Sequence, residues 1–111
     1  MLVACNNWQS KKLLGKWQCS ALLEDGMPVP VTPSDINFQF FGNCYYNFTS
    51  TLNYKEAGTF SVKGELLYTL DTINEASTEK AVQIINLTED SLFLKMNADG
   101  KERIIKLFKV K

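Results

Sequence analysis

The sequence predicts an all-β protein, an eight-stranded antiparallel up-and-down barrel with a short N-terminal helical turn. Three observations carry this. Eight short segments between residues 17 and 110 alternate apolar and polar side chains with the period of two that a half-buried strand requires. Turn-forming residues separate these segments at close intervals. The three prolines, at positions 28, 30 and 33, all fall in one connecting stretch, so none interrupts a predicted strand. Hairpin-connected strands in this number have two economical solutions, a closed barrel or a two-sheet sandwich. Closure removes exposed edges from a small domain, but composition alone leaves the choice open; the Gly-x-Trp of residues 15–17 decides for the barrel.

The elements follow in order. "QSKKLLG" supports one or two helical turns and no more. From Gly15, the first strand places Trp17, Cys19, Ala21 and Leu23 on its inner face and Gln18, Ser20 and Glu24 outside. "EDG" stops it. "MPVPVTPSD" holds every proline, so it is neither helix nor central strand. "INFQFF" is the second strand, "GN" its turn and "CYYNFTSTL" the third. "GTFSV" and "ELLYTLD" flank a "KG" turn, and "INEASTE" is a polar loop. "KAVQIINL", "SLFLKMN" and "RIIKLFKV" complete the set, separated by "TED" and "ADGKE". The long connections are residues 25–35 and 72–79.

Composition narrows the function. Lys and Arg number 12, as do Asp and Glu, and the charges are scattered singly, so no basic stripe invites nucleic acid. Histidine is absent, which removes the commonest general base and the commonest metal ligand. The carboxylates cluster at turns, and no spacing fixes two of them opposite each other. No catalytic residue, metal site or cofactor is therefore expected. "NFT" and "NLT" match the glycosylation sequon and are read as coincidence in a bacterial chain.

"LLGKWQC" resembles the first signature of the lipocalins, in which Gly15 would let the chain turn into the first strand and Trp17 would plug the closed end of the barrel. "GTFSVKGELLYTL" looks like the central hairpin of small bacterial lipocalin-like domains, with Gly58, Phe60, Gly64 and Leu66 at matching places. "LTEDSLFLKM" and a closing "KLFKV" fit the same family's last two strands. The resemblance covers residues 13–111 and implies a non-enzymatic binding barrel, many relatives being envelope lipoproteins. Larger lipocalins stack an Arg on the Trp. Here the one arginine, Arg103, begins the last strand and falls near Glu24 and Asp25, whereas Lys109 lies beside Trp17.

"LVAC" resembles the lipobox of bacterial lipoproteins, with Cys5 as the lipid-bearing residue and "NNWQSKK" as tether. Residues 1–12 are thus read as a lipobox remnant and tether. The expected location is the bacterial cell envelope, lipid-anchored and facing the periplasm or the outside. Met1 sits where the apolar region of a leader should be ending, so the start of the chain is suspect. Cys19 and Cys44 both fall on inward registers. Two strand spacings of about 4.8 Å exceed the reach of a disulfide, so both are expected to be buried, unpaired thiols.

The aromatic residues supply the candidate ligand site. The alternation that turns Trp17 inward also turns Phe38, Phe40, Tyr46, Phe48, Phe60 and Tyr68 inward. They would line an apolar cup for a small lipophilic or amphipathic ligand, Tyr46 and Tyr68 supplying polar contacts. An eight-stranded barrel is also just wide enough for its own side chains to fill it. The alternative function is then a solid-core monomer that meets a protein or glycan through its loops, residues 25–35 above all.

Overall fold

The computed structural model describes residues 8–30, 32–51, 54–74, 78–98 and 100–110. Cys5 and the first part of the expected tether lie outside the described residues. A six-residue helix, α1 (Trp8–Leu13), leads into β1 (Gly15–Glu24). A two-residue strand β2 (Met27–Pro28) and a 3-10 turn (Pro33–Asp35) follow. Then come β3 (Asn37–Phe40), β4 (Tyr45–Thr49), β5 (Lys55–Lys63), β6 (Leu66–Asp71), β7 (Lys80–Leu87), β8 (Ser91–Ala98) and β9 (Lys101–Lys109).

All pairings are antiparallel, each strand from β3 to β9 pairs with the next, and β1 pairs with both β3 and β9. The sheet therefore closes into an eight-stranded barrel, and β2 extends the far end of β1 where β3 has already left it. Pro28 is tolerated there because an edge position needs no ladder N–H from it. Closure runs from Trp17↔Lys109 to Glu24↔Arg103.

The first strand departs from simple alternation. Trp17 and Cys19 face inward as expected, but a bulge between Cys19 and Ala21 resets the register, so that Leu22 turns inward and is buried while Ala21 and Leu23 are half-buried. A second irregularity lies between Ile84 and Asn86 in β7.

One end of the barrel is closed by packing. Trp17 and Leu13 are fully buried, and the indole Nε1 donates to the Leu13 carbonyl at 2.7 Å. Gly15 has φ of +117°, a region L side chains avoid, which is the turn from α1 into β1. The Lys109 ammonium sits 4.5 Å from the Trp17 ring centroid and donates to the Leu14 carbonyl at 2.6 Å. Burial pushes its pKa down. Arg103 is at the opposite end, paired with Glu24, as the strand directions require.

Above this plug the closed half is filled by Cys19, Phe40, Phe60, Val62, Leu92 and Leu107. Phe40 and Phe60 meet edge to face at 5.0 Å. Gly58 is dictated by close approach, since a Cβ there would lie 1.8 Å from the Leu70 carbonyl oxygen.

The cysteines correct one expectation. Cys19 is buried and free, and burial pushes its thiol pKa up. Cys44 is disulfide-bonded, its partner lying outside the described residues. The separation argument excluded a Cys19–Cys44 bridge and nothing more. Cys44 occupies the β3–β4 turn with φ of +73° and is only half-buried.

Candidate functional site

At the open end the strands leave a cup of about 180 Å³. Its walls are Leu22, Ile36, Phe38, Phe48, Leu67, Val82, Leu94, Met96 and Ile105, one or two from nearly every strand. Tyr46, Ser50, Glu56, Thr69, Lys80 and Arg103 add polar groups. Small-molecule pockets usually span about 300–1,000 Å³, so this cup suits only a compact ligand. At about 30 Å³ per water it has room for about six.

Of the six aromatic residues expected to line it, Phe38, Tyr46 and Phe48 do so. Phe38 packs against Phe48 at 4.6 Å and stacks parallel to Phe40 at 5.6 Å. Phe40 and Phe60 are inward but lie in the filled half of the barrel, outside the cup. Tyr68 is a correction, because it points outward. In β6 the inward set is Leu67, Thr69 and Asp71, while Leu66, Tyr68 and Leu70 face away, with the Lys63 ammonium 6.0 Å from the Tyr68 ring. The more apolar triad was the natural choice for the inside. It loses because Asp71 is required within. Buried to 6 % exposure, its carboxylate accepts from the backbone N–H of Ala57 at 3.5 Å and of Ile73 at 3.1 Å, and from the Asn74 amide. Burial raises the Asp71 pKa, but these donors outweigh it and hold the group below the usual carboxylate range.

The polar pole of the cup is centred on Glu56, 8 % exposed on an inward register of β5. Tyr46 Oη donates to Oε1 at 3.0 Å, and Tyr54 Oη and Lys80 Nζ donate to Oε2 at 2.7 and 3.0 Å. Three donors make the buried charge tolerable. The Tyr54 pKa is pushed up to about 12, first by its hydrogen bond to Glu56 and then by burial. The Tyr46 hydroxyl is raised further, chiefly by burial and then by Glu56. The alternation of Glu56, Gly58, Phe60 and Val62 was visible in the sequence and could have flagged Glu56 as an inward charge.

Across the mouth, Arg103 Nη2 donates to Glu24 Oε2 at 2.5 Å, and Lys101 Nζ lies 3.5 Å from the other oxygen. These partners, Arg103 first, hold the Glu24 carboxyl below its ordinary pKa. Among the described residues Arg103 Nε is the buried side-chain polar atom that has no hydrogen-bond partner. A buried orphan donor carries a desolvation penalty of about 1–3 kcal/mol, which a ligand acceptor would relieve.

The lipocalin-like domain family matches the chain over residues 13–94. The chain belongs to this family. Two solved structures share the fold of this lipocalin-like barrel. A lipocalin-like protein from Bacteroides uniformis superposes with a TM-score of 0.67 at 18 % identity, covering 89 % of this chain and 99 % of that one. An uncharacterized protein from Bacteroides eggerthii gives a TM-score of 0.63 at 15 % identity, with 88 % and 99 % coverage. Among curated proteins none matches the chain.

Proposed function

We propose that this lipocalin-like barrel is a non-enzymatic protein that binds one small apolar or amphipathic molecule in its open-end cup. The observation that carries the reading is the cup itself. It has apolar walls from nearly every strand, one polar pole at Glu56 and an unpartnered donor in the wall at Arg103. The volume sets the ligand class as compact, well below the larger carotenoid- or lipid-sized cargo that wider barrels enclose.

The test is a titration with an environment-sensitive lipophilic dye, run on the native chain and on Val82→Phe, which places extra volume into the cup. One-to-one binding at about micromolar affinity, roughly −8 kcal/mol, lost in Val82→Phe with an unchanged fold, is the expected result. Non-saturating binding that is indifferent to Val82→Phe would end the reading.

The same proposal places the protein in the bacterial cell envelope. The "LVAC" sequence supports this. Lipid attachment at Cys5 rests on "LVAC" alone. One sulfur cannot carry both a thioether-linked lipid and a bridge, so a non-reducing peptide map of protein from its own host is decisive. Acylated Cys5 with Cys44 a free thiol is the result that supports the anchor; a Cys5–Cys44 bridge, the one pairing left to a three-cysteine chain whose Cys19 is free, removes it.

A further inference from the structure

The outer face of β1, β3 and β4 carries a concentration of amide side chains, with Tyr45 exposed at the end of β4. On β1, β3 and β4 the outward positions form two cross-strand rows, Lys16–Gln39–Asn47 and Gln18–Asn37–Thr49. Four of these six side chains are primary amides, each with two donors and an acceptor.

The face is also concave, whereas the outside of a closed barrel is ordinarily convex. The two rows line a depression of about 400 Å³. A second depression of about 330 Å³ adjoins it, sharing Asn37 and Thr49 and continuing past Ser34 to Tyr54. Together they line one open cleft of mixed surface, with the amides along it and Val110 and Tyr54 adding apolar area, within the usual size range of ligand sites.

The amides are partly preset. Gln18 Nε2 and Asn37 Nδ2 both donate to the Ser34 carbonyl at 3.2 Å, which fixes their planes and keeps each amide oxygen available as an acceptor. Gln39 and Asn47, adjacent across β3 and β4, make no hydrogen bond among the described residues. At the far end stands Tyr54, 44 % exposed. Its hydroxyl is tied to Glu56 at 2.7 Å and its ring is braced edge-on against Phe48 at 6.2 Å, so an aromatic face is held rigid beside the cleft.

We propose that this cleft, on the outer face of the barrel and adjoining the cup at Ser50, is a second binding site for a neutral glycan of a few sugar units. Amides recognise vicinal hydroxyls because one planar group donates to one oxygen while accepting from the next. The fixed tyrosine offers the apolar platform on which a pyranose C–H face rests. Charge decides against polyanions. Lys16, Lys55 and Asp35 are the ionic groups lining the two depressions, too few and too mixed to select a polyanion such as nucleic acid or a sulfated chain. Gln18, Asn37 and Tyr54, preset in this way, lose little side-chain entropy on binding.

The experiment follows the side-chain NH₂ resonances of ¹⁵N-labelled protein by NMR during titration with four neutral trisaccharides, cellotriose, maltotriose, mannotriose and chitotriose. Tri-galacturonate serves as the acidic control. The expected result is saturable shifts at Gln18, Asn37, Gln39 and Asn47 with at least one neutral sugar, and at least tenfold weaker binding in the Gln39→Ala/Asn47→Ala double variant. That variant should keep its melting temperature and its dye binding in the cup, so a failure of the cleft is distinguishable from a failure of the cup. The proposal is overturned if no neutral trisaccharide moves these signals at millimolar concentration, if the acid binds as well as the neutral sugars, or if the double variant binds undiminished.

Discussion

Replacing Trp17 by alanine probes the closed end of the barrel where most of its packing converges. The indole is fully buried, so its removal opens a cavity among Leu13, Phe40 and their neighbours that the closed sheet cannot collapse to fill. Large-to-small changes of this kind cost about 3–5 kcal/mol. Two further losses fall at the same place. The Leu13 carbonyl loses its donor, and the Lys109 ammonium loses the ring face on which it rests at 4.5 Å. Against a domain stability of about 5–15 kcal/mol this is about a fifth of the total or more. Urea unfolding followed by far-UV circular dichroism measures it directly. Trp17→Ala should lower the midpoint steeply at constant slope, and Trp17→Phe, which keeps most of the buried area but not the N–H, should fall between it and the native chain. A loss under about 1 kcal/mol for Trp17→Ala would refute the claim that this residue plugs the barrel.

Other outcomes follow from the same structure. Cys19 should resist alkylation in the native state and react on unfolding without any reductant; thiol counting by mass spectrometry reads this. Asp71 has a depressed pKa, so its contribution is fully present above the ordinary carboxylate value and is lost as pH falls through the lowered one. Stability should therefore drop in acid, and Asp71→Asn should flatten that part of the profile. Tyr54 has the opposite sign. Its raised pKa gives stabilisation present below about 10 and lost as pH climbs toward about 12, and Tyr54→Phe should remove this alkaline limb from an unfolding series.

Much of the barrel was legible because period-two patterning survives in strands with one wet face. The eight main strands, the position of Lys109 beside Trp17 and the placing of Arg103 near Glu24 followed from alternation and strand direction, while the turn into β1 at Gly15 and the Trp17 plug followed from the lipocalin resemblance. What alternation cannot show is a change of phase. The bulge after Cys19 exchanged Leu22 for Ala21 and Leu23 on the inside, and no residue type announces a bulge there. Hydrophobicity also misled where a polar side chain had work within. Leu66, Tyr68 and Leu70 are more apolar than Leu67, Thr69 and Asp71, yet the second set is inside because Asp71 satisfies backbone donors of the β5 and β6–β7 segments. The candidate site was half legible for the same reason. Its aromatic wall of Phe38, Tyr46 and Phe48 was named, but Glu56, Lys80 and Arg103 were not, since a buried charge is recognisable only once its partners are seen to converge.

The central claim is that an apolar cup exists at the open end and accepts a compact guest. Xenon binds apolar cavities by dispersion alone and needs no knowledge of the natural ligand. A crystal of the native chain pressurised with xenon should show a bound atom at the open end among Leu22, Phe48, Leu94 and Met96. A barrel whose side chains close over that space, with no xenon among them, would contradict the account.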